Sequence, residues 1–222
     1  MKKLVLPLVL FASLTACNSK PELRKEIKEF ISQFSLSEAV KQYQTGGYIS
    51  TKVTTEGETN TKQVIEMSYS LLDENHPTYI ETTTDYENDV VTSTVEIRFV
   101  ENEAGAFISK NGELKKSSVK ECKSLITKFF YKKVDLDGRY HTQGFYYGDY
   151  LKEVAPALQQ YVTIDQENEL YIMDYSVTKT SDGITAQVSQ NYSVNKWGML
   201  VENHNTIESE EKKVEQDIYV NN

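Results

Sequence analysis

Two hydrophobic periods take turns along the chain. Leu23, Ile27, Phe30, Ile31 and Phe34 recur every three or four positions with lysines and glutamates between them, which predicts an amphipathic helix. Its polar face is mixed in sign rather than basic, so packing on the protein is expected over lying in a membrane surface. Ser35 and Glu38 have capping-box spacing ahead of Ala39, Val40 and Tyr43, and Gly46-Gly47 is read as the end of that segment. From Tyr48 the period becomes two. Ile49, Thr51 and Val53 alternate, as do Ile65, Met67, Tyr69 and Leu71, and then Val91, Val95, Ile97 and Phe99. Turn clusters "TEGETN", "DENHP" and "YENDV" separate them, and Asn111-Gly112 sits at the tip of a short hairpin, so residues 48–116 predict about six antiparallel strands.

Helical spacing returns at Ser118 to Tyr131, where Val119, Cys122, Leu125, Ile126 and Phe129 share a face. It returns again at Asp149 to Tyr161, through Leu151, Val154, Leu158 and Tyr161. Pro156 removes a mid-helix donor, so this helix either kinks there or starts near it. Strands resume after "DQENE": "LYIMDYSV", then "GITAQVSQNYSV" opened by an Asp182-Gly183 turn, then "WGMLVENHNTI" and "VEQDIYV". No Pro-, Gly- or Ser-rich linker divides the chain, and one domain over 23–222 is expected. Alternating strands have one wet face and one covered face, and the helices are the expected cover.

The first residues follow a different pattern. Lys2 and Lys3 precede an apolar run from Leu4 to Leu14 that is too short to span a bilayer, which reads as an export signal. It ends in Leu14-Thr15-Ala16-Cys17, which resembles the lipobox of bacterial lipoproteins at all four positions. The resemblance implies removal of residues 1–16 and a diacylglyceryl group, with palmitate-type chains, on Cys17, followed by a short tether at 17–22. Two acyl chains anchor a protein stably where one does not. The expected location is therefore the outer, extracytoplasmic face of a cell membrane. The Lys, Glu, Asn and Tyr bias is more like a Gram-positive organism. A plain secretory peptide or an uncleaved signal anchor are the alternatives.

The formal charge of -9 becomes -11 once Lys2 and Lys3 are removed, since residues 1–16 hold no acid. This gives phosphate backbones nothing to condense on, so nucleic acid is excluded as a partner. The acidic body also favours a domain standing off an anionic surface. With Cys17 acylated, Cys122 is alone, which excludes a disulfide framework and suits a small apolar core residue.

The order of helix, strands, mid-chain helices and strands behind a lipobox resembles the bacterial lipoprotein carriers and mycobacterial lipid-binding lipoproteins. It covers nearly all of residues 23–220 and rests on element order, not on a residue motif. The resemblance implies an α+β fold: an unclosed antiparallel half-barrel of about ten strands covered by N-terminal and mid-chain helices. It also implies a lipid or other amphiphile between sheet and helices, lined by Ile65, Met67, Tyr69, Val95, Ile97, Phe99, Val188 and Tyr192 with helical Leu125 and Phe129. The same residues filling a solid core is the other reading.

Catalytic chemistry has little to stand on. His76, His141 and His204 are far apart in sequence, no CxxC, HExxH, GxSxG or SxxK occurs, and with 33 carboxylates any acidic pair can be nominated. A non-enzymatic protein without metal or cofactor is expected. "GRYHTQGFYYGDY" is the most unusual stretch, with Tyr140, Phe145, Tyr146, Tyr147 and Tyr150 punctuated by glycine. It suits a sugar-stacking platform, the mouth of a lipid cavity, or a cap on the core. A surface module binding carbohydrate, cell-wall polymer or another protein therefore stands as the alternative function.

Overall fold

The two periods divide the molecule into an antiparallel sheet and a helical cover. The computed structural model describes residues 22–130, 133–136, 139–142, 144–181 and 184–222, with side chains outside 131–143 and 181–183. Cys17 and its motif, and Asp182-Gly183, lie outside the described residues. Two short helices open the fold, α1 (Lys25–Ile31) and α2 (Leu36–Gln42), followed by a meander of β1 (Thr45–Glu56), β2 (Thr59–Ser70), β3 (Thr78–Glu87), β4 (Val90–Asn102), β5 (Gly105–Lys110) and β6 (Glu113–Lys116). Next come α3 (Val119–Phe130), a hairpin of β7 (Lys133–Leu136) and β8 (Arg139–Thr142), and α4 (Gly148–Leu158). A 3-10 turn at Gln159–Tyr161 leads into the second meander: β9 (Val162–Asp165), β10 (Leu170–Ser181), β11 (Ile184–Asn195), β12 (Leu200–Ser209) and β13 (Lys212–Asn221).

The main sheet has eleven strands in the order β6-β5-β4-β3-β2-β1-β13-β12-β11-β10-β9. β1 pairs with β13 from Gly47↔Asn221 to Glu56↔Lys212, so the first and last strands zip the two meanders together. The edges β6 and β9 stay apart, and the sheet does not close into a barrel. The expectation of about ten strands in an unclosed antiparallel sheet is met, with β7–β8 forming a separate two-stranded ribbon.

This topology dictates where the helices lie. The chain leaves at edge β6 and re-enters at edge β9, a distance of ten strand spacings or about 48 Å if flat. It crosses over one face, with α3 packed against β3 and α4 against α1, which in turn touches β9. That face carries Tyr48, Met67, Glu81 and Ile97 in one cross-strand row, because the registers Tyr48↔Met67, Met67↔Glu81 and Glu81↔Ile97 put them side by side. The opposite face is wet, and leaves Ile49 and Tyr219 at 43% and 57% exposure.

Two core clusters form beneath the cover. One joins Ile27, Phe30, Ile31 and Phe34 to Leu151, Leu158, Tyr171, Met173 and Tyr192; the other joins Ala39 and Tyr43 to Met67, Tyr69, Tyr79, Cys122, Ile126 and Phe129. Phe145 and Val220 pack against both. The apolar stripe of α1 is thus spent on the protein, as the mixed polar face suggests.

Local rules account for most boundaries. Ser35 caps α2, its Oγ accepting from the Glu38 N–H at 3.4 Å. Asn111 and Gly112 have φ of +50° and +87°, the type I′ geometry expected of that pair. Two boundaries differ from the sequence reading. Gly46-Gly47 lies inside β1 rather than at the end of a helix, and a Cβ on Gly47 would stand 2.0 Å from the Met67 carbonyl oxygen. The fourth helix does not start at Pro156 but runs through it for two more residues, since a missing donor in the last turn costs one bond only.

Candidate functional site

The stretch Phe145-Tyr146-Tyr147 is stitched into the middle of the cover. The N–H groups of Phe145 and Tyr146 donate to the carbonyls of Phe129 and Phe130, both at 2.8 Å, at the end of α3. On the other side the Tyr147 N–H donates to the Gly198 carbonyl and the Leu200 N–H to the Phe145 carbonyl, both at 2.8 Å. Asn195 shapes the β11–β12 turn that receives them: its Oδ1 accepts from the N–H groups of Trp197 (3.0 Å) and Met199 (3.1 Å), and its Nδ2 donates to the Tyr43 hydroxyl at 2.9 Å. Gly198 has φ +91°, and a Cβ there would stand 3.0 Å from the Gly148 Cα, so the turn and the start of α4 meet through glycine.

The aromatic stretch therefore faces inward. Tyr146 is 1% exposed in the α2–α3 cluster, while Phe145, Tyr147 and Tyr150 are half-buried against the cores. This is the core-cap arrangement, and these rings do not form an exposed sugar-stacking platform. The Tyr140 side chain lies outside the described residues.

Of the residues expected to line a ligand space, Met67, Tyr69, Ile97, Phe99, Leu125 and Phe129 come together in the α2–α3 cluster. Tyr192 belongs to the α1–α4 cluster. Ile65 and Val95 stand half-buried further along the same face, both in register with Thr83, and buried Val188 lies opposite Val177 and Ile207. The eight strand residues share the covered face of the sheet, and Leu125 and Phe129 face them from α3.

The interior is rich in tyrosine, and its two sides differ in how the hydroxyls are satisfied. On the α2–α3 side the Tyr69 hydroxyl donates to the Tyr43 carbonyl at 2.9 Å, and the Tyr79 hydroxyl to Glu81 at 2.9 Å. On the α1–α4 side the hydroxyls of Tyr171 and Tyr192 are buried with no hydrogen-bond partner, as are the Oδ1 atoms of Asn203 and Asn205. These four residues are 0%, 2%, 5% and 7% exposed. Asn203 is in register with Tyr192 on β11 and Ile218 on β13; Asn205 is in register with Gln190 and Gln216. Tyr171 lies on the same face of β10, two positions from Met173, the register partner of Tyr192. The Tyr147 ring covers Tyr192, with centroids 5.6 Å apart.

Burial sets the electrostatics. Desolvation pushes the phenols of Tyr48, Tyr146 and Tyr147 up to about 12, and raises those of Tyr43, Tyr69, Tyr79, Tyr150, Tyr171 and Tyr192. Cys122 is a buried free thiol pushed up to about 11 by burial and by the charge of Glu101, which keeps it protonated and unreactive at neutral pH. Among the described residues no group of three or more His, Cys, Asp or Glu is placed to hold a metal ion.

Away from the cover, an open hollow of about 300 Å³ lies at the far end of β1–β4, lined by Lys52, Gln63 and Asp85 among others. Asp85 accepts from Gln63 at 2.9 Å and Ser93 at 2.8 Å, which holds its carboxyl below the usual range. On the wet face His204 Nδ1 is bonded to Asp217 Oδ1, and its Nε2 is 3.4 Å from the Thr206 hydroxyl. Nucleophile, base and acid stand in line there. The β12 segment that carries His204 and Thr206 is paired on both sides, with β11 and with β13.

No family model and no curated protein matches the chain. Among solved structures it is similar to LprF from Mycobacterium bovis, at 11% identity over 90% of this chain and 93% of that one with a TM-score of 0.28. It is also similar to a DUF1329 family protein from Desulfovibrio piger, at 9% identity over 87% and 92% with a TM-score of 0.25. A third is a domain described as an outer membrane lipoprotein-sorting protein from Vibrio parahaemolyticus, at 7% identity over 87% and 92% with a TM-score of 0.21. Scores this low mean loosely superimposed backbones. No helix among the described residues is long and apolar enough to cross a membrane.

Proposed function

We propose that this protein is an extracytoplasmic lipoprotein, held to the outer face of a membrane by acylated Cys17, whose sheet-and-helix interior binds an amphiphile without catalysing a reaction. The observation that carries the ligand reading is the chemistry of that interior. A core built only for stability uses aliphatic side chains with no polar atom to satisfy. This one places tyrosines on both sides of the cover and leaves four buried polar atoms without a protein partner. Such a lining suits a molecule with an apolar body and a polar end.

Mass spectrometry tests both halves. Denaturing spectra of the full-length chain from membranes should show it cut before Cys17 and carrying a diacylglyceryl mass, and Cys17→Ser should release it from the membrane. Native spectra should show a further, noncovalent amphiphile. Unmodified Cys17 removes the anchor. Ligand-free native spectra, together with no heat on calorimetric titration with octyl β-D-glucoside or sodium octanoate, remove the amphiphile.

A further inference from the structure

The four unpartnered atoms specify more than a general amphiphile. We infer that Tyr171, Tyr192, Asn203 and Asn205 form a hydrogen-bonding site for a neutral, hydroxyl-rich group such as a sugar; this rests on the ligand reading above and narrows it. Each of the four is more than nine-tenths buried on the covered face of β10–β12, and their unpartnered atoms are two hydroxyls and two amide oxygens. A buried polar group without a partner costs free energy comparable to a lost hydrogen bond, and these four lie on one face of three adjacent strands.

The atom types select the ligand. Two amide oxygens accept and two phenols both donate and accept, so an anionic head would add acceptors where donors are needed. Arg24, whose charge acts on Tyr171, is already engaged: it donates to the Val162 carbonyl at 2.5 Å and pairs with Glu26 at 3.3 Å. A carboxylate or phosphate therefore finds no free cation in this group. An ammonium satisfies the acceptors but offers nothing for the phenol donors. A hydroxyl donates and accepts at once, and it pairs with an asparagine amide in either orientation. The Tyr147 ring, tilted at 45° against Tyr192 with centroids 5.6 Å apart, adds an aromatic surface of the kind that sugar rings pack against. Because the site is covered by Tyr147 at the start of α4, binding requires that cover to move, and ligand entry should be slow.

The sugar has two possible sources, the head of a glycolipid or a free glycan, and the experiment separates them. The full-length chain is titrated calorimetrically with octyl β-D-glucoside below its micelle concentration, with sodium octanoate, and with maltose. The expected result is octyl glucoside binding at least about 10-fold tighter than octanoate. Tyr171→Phe and Tyr192→Phe should each weaken it by about 3- to 10-fold, the range of one hydrogen bond. Asn203→Leu and Asn205→Leu should weaken it at least as much. Maltose bound with the same dependence on these residues supports the site with a free glycan as its source; maltose unbound beside a bound glucoside supports the glycolipid source.

A melting curve of each ligand-free variant distinguishes a binding role from a structural one. Removing an unpartnered buried polar atom leaves stability unchanged or higher, so Tyr171→Phe and Tyr192→Phe, which remove only the unpartnered hydroxyl, should melt at or above the parent temperature while binding weakens. Octyl glucoside bound no better than octanoate, or bound equally by the variants, overturns the sugar site and leaves the amphiphile reading standing. Absence of binding by any of the three probes overturns both. Either tyrosine variant melting well below the parent also overturns the proposal, because its hydroxyl would then be holding the fold.

Discussion

Single residues in this molecule matter most where backbones touch. Gly47 sits in β1 with the Met67 carbonyl oxygen of β2 only 2.0 Å from where a Cβ would stand. That oxygen belongs to a strand locked by its ladders with β1 and β3, so it cannot swing aside as a flexible side chain would. Gly47→Ala should therefore cost about 3 kcal/mol or more, the upper range of overpacking. For a chain of this length that is a fall in Tm of roughly 6–12 °C. Gly57 is the control. It has φ +61° and nothing within 4 Å of an added Cβ, so Gly57→Ala carries only the left-handed strain of about 1–2 kcal/mol. Thermal melts that rank Gly57→Ala as the worse variant would show that β1 and β2 are not this close.

At the scale of elements, α2 is only seven residues long and depends on its ends. Ser35 satisfies the Glu38 N–H through a 3.4 Å contact, at the long limit of a hydrogen bond. Its own N–H donates to the Trp197 carbonyl, so the cap also ties α2 to the β11–β12 turn. Ser35→Ala should cost about 0.5–1 kcal/mol, the lower half of the usual capping range, and Ser35→Asp should restore it. Urea unfolding midpoints would decide this, and an unchanged midpoint for Ser35→Ala would mean the cap contributes nothing.

These elements also show what the sequence displays. Long strands such as β2 and β10 and the caps of α2 and the Asn111-Gly112 turn are legible because their signals are local: a period of two, a serine three residues before a glutamate, an Asn-Gly pair. The sequence reading misses β9 and β7, whose four residues each are too few to establish a period, and β8, which falls inside the stretch read as an aromatic loop. Nothing local announces the pairing of β1 with β13. The site is harder still. The stretch "VENHNTI" reads as a strand with no face assigned to its asparagines, and in the structure Asn203 and Asn205 are buried on the covered face while His204 is exposed. The available signal is one of phase: Val201, Asn203, Asn205 and Ile207 continue a single period-two run, which places the asparagines with the apolar residues.

For the whole molecule, the consequence of a tyrosine-lined interior is sensitivity to alkali. Among the described residues burial raises the phenols of ten tyrosines, Tyr43, Tyr48, Tyr69, Tyr79, Tyr146, Tyr147, Tyr150, Tyr171, Tyr175 and Tyr192, whereas in the unfolded chain each ionises near the ordinary value of 10.0. A phenol raised in the folded state stays protonated there while the unfolded chain releases its proton. Its contribution to stability is therefore complete below pH 10 and is lost as the pH rises through the folded value. Each such group removes about 1.4 kcal/mol per pH unit across that window. Several acting together remove on the order of 10 kcal/mol per unit, comparable with the whole stability of a typical domain. The protein should hold its fold to about pH 10 and unfold cooperatively near pH 11, within about one unit. The share of the tyrosinate absorbance at about 295 nm that belongs to the buried phenols should rise together with the loss of near-ultraviolet circular dichroism, because these phenols ionise only on exposure. Tyr192→Phe should move the midpoint upward, since it removes one of the protons released on unfolding. Ionisation of nearly all the tyrosines while the fold persists would mean that the buried ones are open to solvent, and the buried polar site would lose its basis with them.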